Sequence, residues 1–239
     1  MKNSILAASL LANIALLLAC FVILEKTRKV YTDYRHFRAL PVGVSEASSV
    51  TPADNTVVLF GDSRVETWAP LPELPGKTVI NAGVTGETTS EMRRRFESDV
   101  LRLQPETVLI QAGMNDLTAS VTRDIPTPRL LLDRMFANLE YFVSTLSEAG
   151  TEVILTPVIP NKDLNPVRKL FWHPVLQASV ADTNQKLKHM AEQYNAVWLD
   201  ISPIFFDNEN RVRAELYKDT LHVKSPAYLQ VNKQVEALF

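Results

Sequence analysis

Thr56-Val57-Val58-Leu59-Phe60-Gly61-Asp62-Ser63 is the stretch from which the rest of the chain can be read. β-Branched, aliphatic and aromatic residues run without a charge into a glycine, an aspartate and a serine. A parallel strand buried on both faces has that uninterrupted apolar character, and Gly-Asp at its end is turn chemistry. Similar short runs occur at 78–81, 107–111, 152–156 and 196–200, with the first at 56–60. Helical patterns separate them. Thr88-Thr89-Ser90-Glu91 reads as a capping box, opening a helix that carries Met92, Phe96, Val100 and Leu103 on one face until Pro105. Pro128 suits a first helical position, Leu131, Met135, Leu139, Phe142 and Leu146 recur at helical spacing, and Gly150 closes the segment. A third helix near 175–194 turns Leu176, Val180, Leu187 and Tyr194 inward, and a last one begins near Ser225-Pro226. This alternation predicts one doubly wound three-layer α/β/α sandwich on a five-stranded parallel sheet.

Upstream of that domain the chain changes character. Residues 5–24 carry no charge, and as a helix they span roughly 30 Å, the thickness of a hydrocarbon core. We read residues 1–29 as an N-terminal membrane anchor or uncleaved signal, 30–55 as a linker in which Pro41, Gly43, Pro52 and the Ser-rich stretch 45–51 leave little periodicity, and 56–239 as the globular domain. Leu17-Leu18-Ala19-Cys20 resembles a lipoprotein box, but apolar residues continue through Leu24 where a mature lipoprotein turns polar. Lys26, Arg28, Lys29, Arg35 and Arg38 follow the helix, and by charge alone they pull the domain toward the cytoplasm.

The whole-chain composition narrows the function classes. Of 239 residues, 46% are hydrophobic and the formal net charge is -2, so disorder and nucleic-acid binding are both disfavoured. Cys20 is the single cysteine and makes neither an intrachain disulfide nor a zinc site.

Chemistry concentrates after the strands. Of seven glycines, Gly61, Gly83, Gly86 and Gly113 follow the carboxyl ends of the first three strands, the edge where open α/β sheets bind ligands. The segments there read Gly61-Asp62-Ser63-Arg64, Asn81-Ala82-Gly83-Val84 and Gly113-Met114-Asn115-Asp116, and Asp219-Thr220-Leu221-His222 lies near the C-terminus. A turn can present the Ser63 hydroxyl as nucleophile, provided that His222 reaches it as base and Asp219 holds the imidazole tautomer. The backbone N–H groups of Ser63 and Gly83 and the Asn115 carboxamide are candidate oxyanion donors, with Gly83 leaving room for a substrate oxygen.

In these blocks the chain resembles the GDSL, or SGNH, hydrolase superfamily: Ser63, Gly83, Asn115 and His222 stand in that family's order, from residue 56 onward. The resemblance implies a flavodoxin-like sheet and metal-free, cofactor-free hydrolysis of esters or thioesters. It also implies Ser63 as nucleophile, His222 as base, Asp219 as orienter, and Ser63, Gly83 and Asn115 as the oxyanion hole. Arg64 replaces the family's leucine, which we expect to touch specificity more than chemistry. Resemblance to exported members places the domain on the outer face of the membrane.

Other polar residues receive plainer readings. Asp62 and Asp116 are expected to brace turns, and Arg93-Arg94-Arg95 to form a solvated helix face. His36, His173 and His189 lack an acidic partner and are read as linker, loop or surface residues. Phe171 and Trp172, in the proline-rich stretch 157–174, are expected either to line a substrate pocket or to be buried against the neighbouring helix. Two alternative readings remain at this stage, an O-acyltransferase or deacetylase acting on carbohydrate and a membrane-tethered binding module.

Overall fold

The computed structural model describes residues 2–39 and 55–239. Its sheet comprises β1 (Thr56–Gly61), β2 (Thr78–Gly83), β3 (Thr107–Gln111), β4 (Glu152–Leu155) and β5 (Val197–Trp198), all parallel, in the order β2-β1-β3-β4-β5. Helices α1 (Lys2–Ala39), α2 (Ser63–Glu66), α3 (Thr89–Asp99), α4 (Met114–Ser120), α5 (Pro128–Glu148), α6 (Pro166–Phe171), α7 (Leu176–Gln193) and α8 (Ser225–Glu236) complete the chain.

The period-2 alternation of strand side chains divides the core in two. Val58 and Phe60 of β1 pack with Met92 and Phe96 of α3, Leu139 and Phe142 of α5, and Leu187 of α7. Val57 and Leu59 face the other way, against Val65 of α2 and Tyr228, Val231 and Val235 of α8. All four β1 side chains are fully buried, and each such side chain contributes about 1.5–3 kcal/mol by leaving water. The sheet is therefore covered on both sides, as the apolar strand runs require.

Local signals set most boundaries. The Glu91 carboxylate accepts from the Thr88 N–H at 2.9 Å and starts α3, and Gly150 takes φ 79° just beyond α5. The α3 helix ends at Asp99, earlier than expected, and a 3-10 turn over Leu101–Leu103 carries the chain to Pro105. β5 is shorter than the run 196–200: only Val197 and Trp198 pair in register with β4, and the Leu199 N–H adds one bond to the Leu155 carbonyl at 3.0 Å.

Helix α1 changes the expected division of the chain. Its first part exposes Leu10, Leu11, Leu16, Leu17 and Phe21, and it is long and apolar enough to cross a membrane. Residues 30–39, expected as linker, instead continue this helix, and Tyr31, Thr32, Arg35 and Arg38 recur at helical spacing on a face that meets the globular domain. The rest of the expected linker, 40–54, lies outside the described residues.

β1 is the strand at which the chain order reverses. β2 lies on one side of it and β3 on the other, so the loops leaving β1 and β3 diverge. That divergence opens the crevice in which a doubly wound sheet holds its ligand.

Candidate active site

The site begins at Gly61, the last residue of β1, where a Cβ would stand 2.2 Å from the Gln111 carbonyl oxygen and 2.4 Å from Val65 Cγ2. Asp62 follows in extended conformation and caps α2, its Oδ1 accepting from the Arg64 N–H at 2.9 Å. Ser63 thus becomes the first residue of a helix. Its side chain is buried to 7% exposure, and its Oγ lies 3.0 Å from His222 Nε2.

A short loop between Tyr217 and Val223, which pair as an isolated antiparallel bridge, carries His222. His222 Nδ1 lies 2.7 Å from Asp219 Oδ2, while Asp219 Oδ1 accepts from the N–H groups of Leu221 (2.7 Å) and His222 (2.9 Å). One carboxylate therefore orients the ring and folds the loop at once. Partial burial works against its charge, but the His222 and Leu221 hydrogen bonds outweigh burial and hold Asp219 down at about 2. The loop is anchored from below as Tyr217 Oη donates to the Pro160 carbonyl at 2.6 Å.

The candidate oxyanion donors come from three elements, α2, β2 and α4. The Ser63 N–H stands at the first position of α2, where a helix offers its donor no intrahelical acceptor. Asn115, in the first turn of α4, donates through Nδ2 to the Glu87 carbonyl at 3.0 Å and faces Asp62 Oδ2 at 3.5 Å. The second contact is long, which leaves one N–H of the carboxamide weakly held and free to meet a substrate oxygen. The Gly83 N–H donates to Asn81 Oδ1 at 2.9 Å, so it serves an incoming oxygen only by sharing or giving up that bond.

Gly83 also departs from its sequence reading. A Cβ there would stand 2.0 Å from the Glu66 nitrogen and 2.6 Å from the Val65 carbonyl carbon. The bare Cα lets α2 seat on β2, rather than opening room for substrate.

The model of the GDSL-like lipase/acylhydrolase family matches residues 51–228. The chain belongs to that family. It is 30% identical over 162 residues to the uncharacterized lipoprotein YqeF of Bacillus subtilis (strain 168), covering 61% of this chain. It is 28% identical over 158 residues to an acetylxylan esterase of Geobacillus stearothermophilus, covering 64% of this chain. The alignments span 65% of the length of each of these relatives. Among solved structures, a GDSL-like lipase from Bacteroides thetaiotaomicron superposes with a TM-score of 0.64 at 21% identity, over 80% of this chain and 91% of that one. It shares the fold.

This GDSL-like chain surrounds its site with two arginines that bind main-chain carbonyls. Arg64 is 2% exposed and sends Nε to the Leu221 carbonyl (3.0 Å), Nη1 to Ile159 (2.5 Å) and Nη2 toward Pro160 (3.5 Å). It is a strap between the serine turn and the histidine loop. Arg95, expected on a solvated face, is mostly buried and donates to the carbonyls of Ala82 (2.8 Å) and Gly61 (3.0 Å) at the ends of β2 and β1. A charged residue inside an otherwise turn-forming or helical block was the available signal for both.

Trp172 and Phe171 follow the second of their two readings and pack against a helix, α1. Trp172 is 1% exposed, its Nε1–H donates to Tyr31 Oη at 2.9 Å, and Phe171 meets the Tyr31 ring edge-on at 5.2 Å. Both rings form a socket for α1. The remaining histidines are accounted for locally: His36 Nε2 lies 2.9 Å from Thr127 Oγ1, His173 Nδ1 accepts from the Val175 N–H at 3.2 Å, and His189 is exposed beside Glu192. Asp62 and Asp116 both accept backbone N–H groups; Asp116 takes those of Thr89, from the N–H at 3.0 Å and from Oγ1 at 2.8 Å.

Proposed function

We propose that this chain is a serine hydrolase that cleaves carboxylic esters through an acyl-enzyme on Ser63. The observation that carries this reading is the continuous Ser63–His222–Asp219 hydrogen-bond chain, at 3.0 and 2.7 Å. A hydroxyl is a weak nucleophile until a base stands within hydrogen-bond reach and is itself oriented. In this mechanism Ser63 Oγ attacks the ester carbonyl as His222 Nε2 takes its proton. Charge collects on the carbonyl oxygen, facing the Ser63 N–H and the Asn115 carboxamide. His222 then protonates the leaving alcohol, and water, deprotonated by the same ring, releases the acid. Asp219 stays ionised throughout and stabilises the imidazolium.

Acyl groups on carbohydrate hydroxyls are the substrate class we favour. Similarity to an acetylxylan esterase supports it. We also read α1 as a signal anchor with the domain on the outer face, a reading that its exposed apolar half and similarity to a lipoprotein support. A reporter fused after Phe239 and assayed on each side of the membrane tests that orientation.

The full-length protein in detergent, offered nitrophenyl esters and acetylated oligosaccharides, is expected to release acid. Ser63→Ala is expected to abolish both turnover and labelling by a serine-reactive phosphonate, and Asn115→Ala to lower kcat by about 10²–10³. Turnover that survives Ser63→Ala refutes the mechanism. Acyl transfer to an added sugar in preference to water would identify an acyltransferase instead.

A further inference from the structure

The face of α1 that meets the domain is built for more than adhesion. Thr32 Oγ1 donates to the Arg123 carbonyl at 3.0 Å, Arg28 pairs with Asp124 at 2.6 Å, and Arg38 pairs with Glu91 at 2.6 Å. Between these peripheral contacts lies Arg35, only 9% exposed. Its Nη2 donates to the backbone carbonyl of Asn115 at 2.5 Å and also to Thr118 Oγ1. Thr118 Oγ1 in turn donates to the same Asn115 carbonyl at 3.0 Å, closing a three-membered hydrogen-bonded group around one oxygen.

Arg35 is an expensive choice for a joint. Its Nε is buried and has no hydrogen-bond partner among the described residues, and a buried donor left unpaired is destabilising. An apolar residue of similar volume makes a helix joint without that penalty. What the guanidinium alone supplies is a charged grip on the main chain of Asn115, the residue whose carboxamide is the proposed oxyanion donor. A donor displaced by about 1 Å can cost on the order of 10² in rate, so a group that fixes the Asn115 backbone acts directly on transition-state binding.

We propose that Arg35 is a positioning residue for Asn115, which makes the membrane-proximal stem of α1 a working part of the active site. The inference rests on the ester-hydrolase reading given above. Arg35 lies eleven positions beyond Leu24, about 16 Å along the helix axis. The anchor therefore sets both the distance of the site from the membrane and the rigidity of its oxyanion donor.

A double-mutant cycle on the full chain in detergent tests it, with kcat and KM measured separately on one ester and folding followed by thermal melting. Arg35→Met is expected to lower kcat about 10–100-fold with KM changed less than about threefold, and Arg35→Lys to recover part of the loss. In the Asn115→Ala background the same Arg35→Met exchange is expected to change kcat by less than about threefold, because the donor it positions is already gone. Equal losses in both backgrounds, or a loss confined to KM or to the melting temperature, overturn the proposal while leaving the hydrolase reading intact. Absence of Ser63-dependent turnover in the unmutated protein instead removes the hydrolase reading and this inference with it.

Discussion

Arg64 Nε donates to the carbonyl of Leu221 at 3.0 Å, so the residue after the proposed nucleophile grips the loop that carries its base. The two residues are 157 positions apart, and the contact ties the first functional block of the domain to the last. Tyr228 Oη completes the strap from α8 by donating to the Arg64 carbonyl at 2.6 Å.

Replacing this arginine by the leucine usual in the family tests the strap. Arg64→Leu strands the carbonyls of Leu221 and Ile159 without their donor, and a lost charged hydrogen bond at a buried site costs about 1–3 kcal/mol. We expect that loss in urea denaturation, together with a fall of roughly tenfold or more in kcat as the Ser63–His222 distance loosens. Unchanged kinetics with lowered stability would limit the strap to folding.

The Asp219 carboxylate makes a separate prediction about pH. Partial burial acts against its ionisation, yet the hydrogen bonds from His222 and Leu221 hold it at about 2, so it remains charged across the range in which esterases are assayed. No limb of the kcat/KM profile above about pH 4 is therefore expected to arise from it. Asp219→Asn is expected to reduce kcat by about 10³–10⁴, because an amide both removes the charge opposite the imidazolium and permits the wrong tautomer.

Asp116 behaves in the opposite sense. Burial raises it to about 7, against the opposing pull of hydrogen bonds from Thr89 and of the Arg35 charge. The folded protein thus holds this proton more tightly than the unfolded chain does. The stability it contributes is complete below about pH 4 and is lost as pH rises through 7, by at most about 1.4 kcal/mol per pH unit. Asp116→Asn cannot titrate, so its denaturation free energy is expected to vary less between pH 4 and 7 than that of the parent protein. An identical slope would place the titration elsewhere.

Trp172→Ala checks the burial reading of that side chain. The ring is buried and bonded to Tyr31, so its removal is expected to cost about 3–5 kcal/mol and to loosen the docking of α1. Acyl chain-length preference is expected to stay the same across an ester series. A changed preference with unchanged stability would restore the pocket role.

Much of the architecture was legible in advance because its signals are local. The apolar runs near residues 56, 107 and 152 have the character of strands buried on both faces, and β1, β3 and β4 begin at Thr56, Thr107 and Glu152. The capping box at Thr88, Pro128 and Gly150 act within one helical turn, so they could be read without knowing what packs on them. The spacing of Asp219 and His222 likewise encodes a contact within a single loop.

The remainder depended on partners far away in sequence. Nothing near Arg35 indicates that it meets Asn115, 80 positions on, and residues 30–39 resembled a linker because the surface that receives their helix is assembled from α3, α4 and α6. Gly83 could be read as space for substrate until α2 was seen seated on it, and Trp172 as a pocket wall until α1 covered it. A parallel α/β sandwich and the order of Ser63, Gly83, Asn115 and His222 along it could be read from residue order, because periodicity, caps and turns act over a few residues. Which cations grip the site emerged from the packed fold alone, since a buried guanidinium is defined by the carbonyls that distant segments bring to it.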